Sequence, residues 1–242
     1  MAKPPLEAWE VDSLRATAFS SDAIPATRCE EWWRAVAGGP AESANNRPAL
    51  AIYSAEGPVD DARLGVNIMP GRVDWLHVPD IQAVMGAASL GRFAERDRRF
   101  AERLSTWLRN PQITAQRLAY GATLRLPVAN RIEGYRVLAE LLPNVKVDPD
   151  TGSDFLFQIN RPRTSRVVRD LQVNRLTKWA SVRFEAGINN VRTTSVEFAR
   201  IEIDISSDVN SQVDLAAAGN LDKLFAEFQE LAREIAANGD IS

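Results

Sequence analysis

The residues best suited to bind a charged partner form a basic cluster in the second half of the sequence. Between Gln158 and Glu185 the sequence has seven Arg and Lys residues and two acids, whereas the whole chain carries a net charge of -3. Guanidinium groups bind oxyanions through paired hydrogen bonds. The cluster is therefore a candidate site for an anion or a protein partner. The five candidate binding residues within it are Arg161, Arg163, Arg166, Arg175 and Lys178.

The same cations also fit a structural role. The last predicted strand alternates apolar residues with charged ones, which places Glu202 and Asp204 on one face of a sheet. Neighbouring antiparallel strands could then match Arg175, Lys178 or Arg183 with these two acids. A binding site and a cross-paired sheet face both remain open from the sequence.

Three aspartates are the only candidates for a carboxylate site. Asp148, Asp150 and Asp154 lie within seven residues, but they lack the glycine and the bidentate glutamate of an EF-hand loop. The single histidine, His77, and the single cysteine, Cys29, leave little for zinc or nucleophilic chemistry. The sequence therefore predicts no catalytic residues, no metal and no cofactor.

Two adjacent tryptophans, Trp32 and Trp33, are candidate interface residues. Neighbouring positions on a helix point in directions about 100° apart, so both should not face one core. We therefore expect one of them near an edge or in an interface, where aromatic residues are favoured.

The composition limits the class of protein. The chain has 242 residues, of which 45% are hydrophobic, so a core large enough to fold without cross-links is expected. One cysteine and no apolar run of signal-peptide or membrane-spanning length predict a cytoplasmic protein with no membrane contact. An excess of acids over bases argues against nucleic acid as the partner.

The elements that position these residues recur in a similar order along the chain. A strand at 13–19 precedes a helix that Thr27 and Glu30 could cap, and a strand near Tyr120 precedes a helix that Asn130 and Glu133 could cap. Hairpin signals and a long amphipathic helix follow each time.

The string Leu-x-Val-Asn also occurs twice, at 64–67 and 171–174. The sequence thus predicts an α+β fold of tandem β-α-β(3-4)-α repeats, with an antiparallel sheet and helices packed on one face. The repeats are expected at 1–110 and 111–242, packed as one compact unit.

This order resembles the TATA-box-binding-protein-like fold, in which two such repeats share one curved sheet. The resemblance is one of topology and implies no function. The strings DFLFQINRPRTSR and NRLTKW also resemble an uncharacterised bacterial protein family, which implies no activity either.

The function predicted from these features is a non-enzymatic binding or assembly module in the bacterial cytoplasm, as a subunit of a complex or a homo-oligomer. The alternative is an anion- or nucleic-acid-binding protein that uses the basic stretch Arg161–Arg183. A third reading is an enzyme with the Asp148, Asp150 and Asp154 carboxylates.

Overall fold

A computed structural model describes residues 2–24, 26–80, 88–188, 191–210, 213, 215–216 and 219–240, without the side chains at 26–27, 186–188 and 191–194. The described residues form a mixed α/β fold with one large antiparallel sheet and four α-helices. The elements are β1 (Glu10–Ser20), α1 (Ala26–Ala37), β2 (Ser43–Arg47), β3 (Ile52–Val59), β4 (Ala62–Met69), β5 (Arg72–Pro79), α2 (Phe93–Arg109), β6 (Ala115–Val128), α3 (Arg131–Leu141), β7 (Leu156–Asn160), β8 (Arg163–Thr164), β9 (Gln172–Ile188), β10 (Val191–Ser207) and α4 (Leu221–Asn238).

The strands lie in the order β2-β3-β4-β5-β1-β6-β10-β9-β7, and β8 also pairs with β9. The antiparallel pair of β1 and β6 is at the centre of the sheet. On its two sides lie β5 and β10. Among the described residues, β2 and β7 are the two edge strands.

One face of the sheet forms the core with the helices. Leu14 of β1 is paired with His77 on one side and Ala122 on the other, and all three are buried. Helix α2 covers this face through the contact of Phe100 with His77, and α4 through the contact of Phe225 with Tyr120. Alternation along the strands leaves polar side chains on the opposite face.

Local signals fix several of the connections. The predicted Pro70-Gly71 turn joins β4 to β5, with Gly71 at a φ of 70°, and a Cβ there would lie 3.0 Å from the Ser20 carbonyl oxygen. Both conditions favour glycine at this position. The predicted cap of α3 is confirmed, because the Asn130 side chain accepts a hydrogen bond from the Glu133 N–H at 3.0 Å.

Two other predicted caps differ in detail. Asn220 precedes α4 as expected, but its side chain makes no capping hydrogen bond. Helix α1 begins at Ala26, and the side chain of Thr27, predicted to cap it, lies outside the described residues. No helix in the described part of the chain is both long enough and apolar enough to cross a membrane.

Candidate functional site

The sheet face turned away from the helices carries polar and small residues from its central strands. We call it the open face. It is defined by Arg15 and Thr17 of β1, Gly65 of β4, Asp74 and Leu76 of β5, Gly121 of β6, Leu176 and Lys178 of β9, and Glu202 and Asp204 of β10.

Two cavities form a continuous groove along the open face. One, of about 570 Å³, extends from Ser43 of β2 to Arg15 of β1. The other, of about 290 Å³, extends from Arg15 to Gln158 of β7. Both are lined by Arg15 and Leu76, so they meet at the centre of the sheet. Each cavity spans several strands.

Two glycines form the floor of this groove. At Gly121 a Cβ would lie 3.3 Å from the Arg15 Nε, so the missing side chain gives the guanidinium room to cross β6. Arg15 thereby reaches Asp204 of β10, with 2.5 Å between Nη2 and Oδ2. At Gly65 the nearest atom of the described residues to a Cβ would be the Ala55 carbonyl oxygen, at 3.9 Å. The groove is thus open above β4.

The charges that line the groove are matched with one another. Arg72 lies beside Asp74 with 2.6 Å between Nε and Oδ2, and the Thr17 hydroxyl donates to the same carboxylate at 2.5 Å. Lys178 lies opposite Glu202, with 3.5 Å between Nζ and Oε1. This confirms cross-strand pairing for Lys178. A groove with matched charges does not present the cationic field that attracts a polyanion.

Helix α4 and the residue after its C-cap supply acids to the basic cluster. Arg161 makes two hydrogen bonds to the Asp240 carboxylate, at 2.9 and 2.7 Å, which raise the pKa of Arg161. Arg163 lies 3.2 Å from Glu234, measured from Nη1 to Oε2. These partners are separated from the arginines by more than seventy positions, so sequence spacing could not identify them.

The turn between β8 and β9 is also fixed to α4. The buried Glu227 carboxylate accepts hydrogen bonds from the Ser165 hydroxyl at 2.6 Å and from the Arg166 N–H at 2.8 Å. The Arg166 guanidinium lies 3.2 Å from Glu230, measured from Nη2 to Oε2. The turn is therefore held by a buried carboxylate as well as by surface pairs.

The five predicted basic site residues do not form one surface. Arg175 is buried on the helix side of the sheet, where its Nε donates to the Arg161 carbonyl oxygen at 2.8 Å. Burial lowers the pKa of Arg175. Lys178 lies on the open face instead. The expected pairing of Arg175 with Glu202 or Asp204 is therefore wrong, because alternation along β9 turns Arg175 to the other face.

Arg183 also has a different partner from the predicted ones. Its Nε lies 2.5 Å from Oε1 of Glu197, which is directly opposite in β10. Asp204 forms its ion pair with Arg15, a residue of the first half. Sequence spacing did not indicate this pair.

Both candidate interface tryptophans are buried, so the expectation that they would not both face the core is wrong, while a role of either in an interface stays a prediction. Helix α1 packs in two directions. Trp33 lies against Gly57 of β3, and Trp32 makes an edge-to-face contact with Trp107 of α2, with 6.1 Å between ring centroids. Adjacent positions are both covered because the sheet and a second helix meet α1 at different angles.

The carboxylate candidates form a turn. The Asp148 side chain accepts hydrogen bonds from the Asp150 and Thr151 N–H groups, at 3.0 and 3.1 Å, and from the Thr151 hydroxyl. These bonds lower the pKa of Asp148. Asp154 is at a φ of 54° at the end of the same loop. Among the described residues, no group of three or more His, Cys, Asp and Glu side chains is placed to hold a metal ion.

His77 and Cys29 are both buried in the core. Burial lowers the pKa of His77 to about 4 and raises the pKa of the Cys29 thiol to about 11. A neutral thiol and a neutral imidazole are the forms present at neutral pH.

Sequence reasoning missed the central groove residues Arg15, Leu76 and the glycines of the floor. Two signals were present. A glycine inside a strand pattern, as in LGVN and AYGAT, marks a place of close approach. Arg15 and Thr17 also alternate with the apolar Leu14, Ala16 and Ala18, which is typical of a strand with one exposed face.

A scan against protein-family models gives no match for this chain. A search of curated proteins likewise finds no similar sequence.

Proposed function

We propose that this chain is a non-enzymatic binding module of the bacterial cytoplasm, a subunit of a protein complex, and that it binds a segment of a partner protein in the groove of its open face. The observation that carries the proposal is the continuous groove, to which strands from both halves of the chain contribute. Concave surfaces with a few placed polar groups are typical of binding sites.

The chemistry of the groove favours a protein partner over a nucleic acid. Arg15, Arg72 and Lys178 each have a carboxylate neighbour on the same face. Leu76 is 42% exposed at the point where the two cavities meet, and it offers an apolar contact there. A protein segment can use such a contact together with neutral hydrogen bonds, whereas phosphate groups need unpaired cations.

We further propose that the fold arose from a tandem duplication, with β-α-β(3-4)-α repeats at 1–110 and 111–242. The order of elements supports this, since each of β1 and β6 is followed by a helix, further strands and a longer helix. The register of the sheet also supports it. Asn67 and Asn174 lie in one row across the sheet, each two strands from the central pair of β1 and β6. A groove at the junction of two repeats would then be a product of the duplication.

Filling the groove tests the binding proposal. The variant Gly65→Phe places an aromatic ring in open space above β4, and a strand position tolerates the ring well. The matched control is Gly39→Phe. A Cβ there meets no atom of the described residues within 4 Å, and Gly39 does not line the groove. Both variants should unfold within a few degrees of the wild-type chain.

The measurement is the stoichiometry of proteins that co-purify with the native chain, determined by mass spectrometry. We expect a stoichiometric partner with the wild type and with Gly39→Phe, and at least a tenfold loss with Gly65→Phe. A native chain that purifies alone, or a partner that Gly65→Phe retains in full, would count against the proposal.

A further inference from the structure

The edge strand β7 has backbone groups that point out of the sheet. The Arg161 N–H donates to the Arg175 carbonyl oxygen at 3.1 Å, which fixes the alternation of the ladder between β7 and β9. In an antiparallel pair every second residue directs its N–H and C=O to the neighbouring strand. Phe157 and Ile159 therefore bond to β9, while Leu156, Gln158 and Asn160 direct theirs outward.

The side chains of this edge are exposed and uncharged. Leu156 is 59% exposed, and Gln158 and Asn160 are also exposed. In the described part of the chain no further strand pairs with this edge. The other edge, β2, is fully exposed and polar, with the sequence SANNR, and a proline follows it. Proteins protect edge strands with polar residues, charges and proline, so β7 is the less protected edge.

We infer that two copies of this chain associate through β7, in an antiparallel pair centred on Gln158. Each Gln158 then lies opposite Gln158 of the second copy, and Leu156 lies opposite Asn160. All the outward N–H and C=O groups of the strand find partners in this register. The two sheets become one continuous sheet, and the open faces of both copies stay accessible.

The side chains favour a second copy as the occupant. In the same register Phe157 of one copy lies opposite Ile159 of the other. Both residues are half-buried at the helix side of the sheet, so pairing completes their burial. An aromatic residue opposite a β-branched one is among the stabilising cross-strand pairs. No charged residue occurs between Leu156 and Asn160 to oppose the approach of a second copy.

Sedimentation velocity over a range of protein concentrations tests this inference. We expect a reversible dimer for the wild type. The variant Gln158→Pro removes one outward N–H without affecting the ladder with β9, so the monomer should stay folded while dimer formation weakens about tenfold or more. The control Gln158→Thr keeps the N–H and should dimerise within a few-fold of the wild type.

A cross-link tests the register even if Gln158→Pro lowers stability. A residue facing itself in a hydrogen-bonded pair has a Cα separation of about 5.5 Å, which a disulfide can bridge. Gln158→Cys should therefore form a covalent dimer on mild oxidation, whereas Leu156→Cys, which faces Asn160, should not. Cys29 is buried and does not interfere.

A wild type that stays monomeric at all concentrations, or equal cross-linking of Gln158→Cys and Leu156→Cys, would overturn the inference. Binding of β7 to a strand of a different protein, with no dimer of this chain, would overturn it as well.

Discussion

His77 shows how one residue can couple the core to pH. Its ring stacks on Phe100, with 5.9 Å between centroids, and neither ring nitrogen has a hydrogen-bond partner among the described residues. Burial, followed by the nearby Arg96 and Arg103, lowers the pKa of His77 to about 4, against the opposing effect of Asp60 and Asp61. Between about pH 4 and pH 6.5 this imidazole is therefore neutral in the folded chain and protonated in the unfolded chain.

Acid should destabilise the fold through His77. The pKa of His77 is lower in the folded chain than in the unfolded chain. Its contribution to the free energy of unfolding is therefore fully present above pH 6.5 and is lost as the pH falls from about 6.5 to about 4. At roughly 1.4 kcal/mol per pKa unit the loss is roughly 3 kcal/mol. His77→Leu should remove it, and the free energy of unfolding in urea at pH 7 and pH 4.5 checks this. Equal pH dependence in variant and wild type would contradict it.

At the scale of elements, a buried polar cluster joins α2, β6 and α4. The Asp97 carboxylate of α2 accepts hydrogen bonds from the Tyr120 hydroxyl at 2.8 Å and from the Gln229 amide. It also forms an ion pair with the Arg233 guanidinium, whose Nε and Nη2 lie 2.8 and 2.7 Å from Oδ2. Burial raises the pKa of Asp97, and Arg233 opposes that shift.

Removing this carboxylate should loosen the contact between the helices. Asp97→Ala leaves the Tyr120 hydroxyl without its acceptor and the Arg233 charge without its partner, while the Gln229 amide keeps only its bond to the main-chain oxygen of residue 97. The free energy of unfolding should therefore fall by about 3 kcal/mol. The matched control is Asp61→Ala, which breaks the pair with Arg96 at a largely exposed carboxylate and should cost less than about 1 kcal/mol. Urea unfolding of both variants at pH 7 measures the difference, and similar losses would refute the role of the cluster.

Elements whose signals are local could be predicted from the sequence, and contacts between distant residues could not. The Asn130 cap and the Gly71 turn depend on neighbours a few positions away, so composition and spacing reveal them. The pair of Arg15 with Asp204 joins residues 189 positions apart. It follows from the register of β1, β6 and β10, which the whole sheet determines. The acids that neutralise Arg161 and Arg163 were missed for the same reason.

The central antiparallel pair of β1 and β6 joins the two proposed repeats in one sheet. Their ladder runs from Glu10 to Ser20 and from Ala115 to Arg125. Main-chain hydrogen bonds between β1 and β6 thus connect the first half to the second, and α2 packs on α4. Separating the halves would expose a central strand edge and the apolar faces of both helices. A chain built in this way should unfold as one unit.

The last prediction tests this cooperativity with one probe for each half. Five of the six tryptophans lie within residues 1–110, so tryptophan fluorescence reports mainly on the first half. Pulsed hydrogen exchange of the amides in β9 and β10 reports on the second. Because the β1–β6 ladder and the Asp97 cluster link the halves, the two probes should give one urea midpoint within fitting error. Two separated midpoints would mean that the halves unfold independently. The free energy by which the central ladder couples the halves would then be smaller than the free energy of unfolding of either half alone.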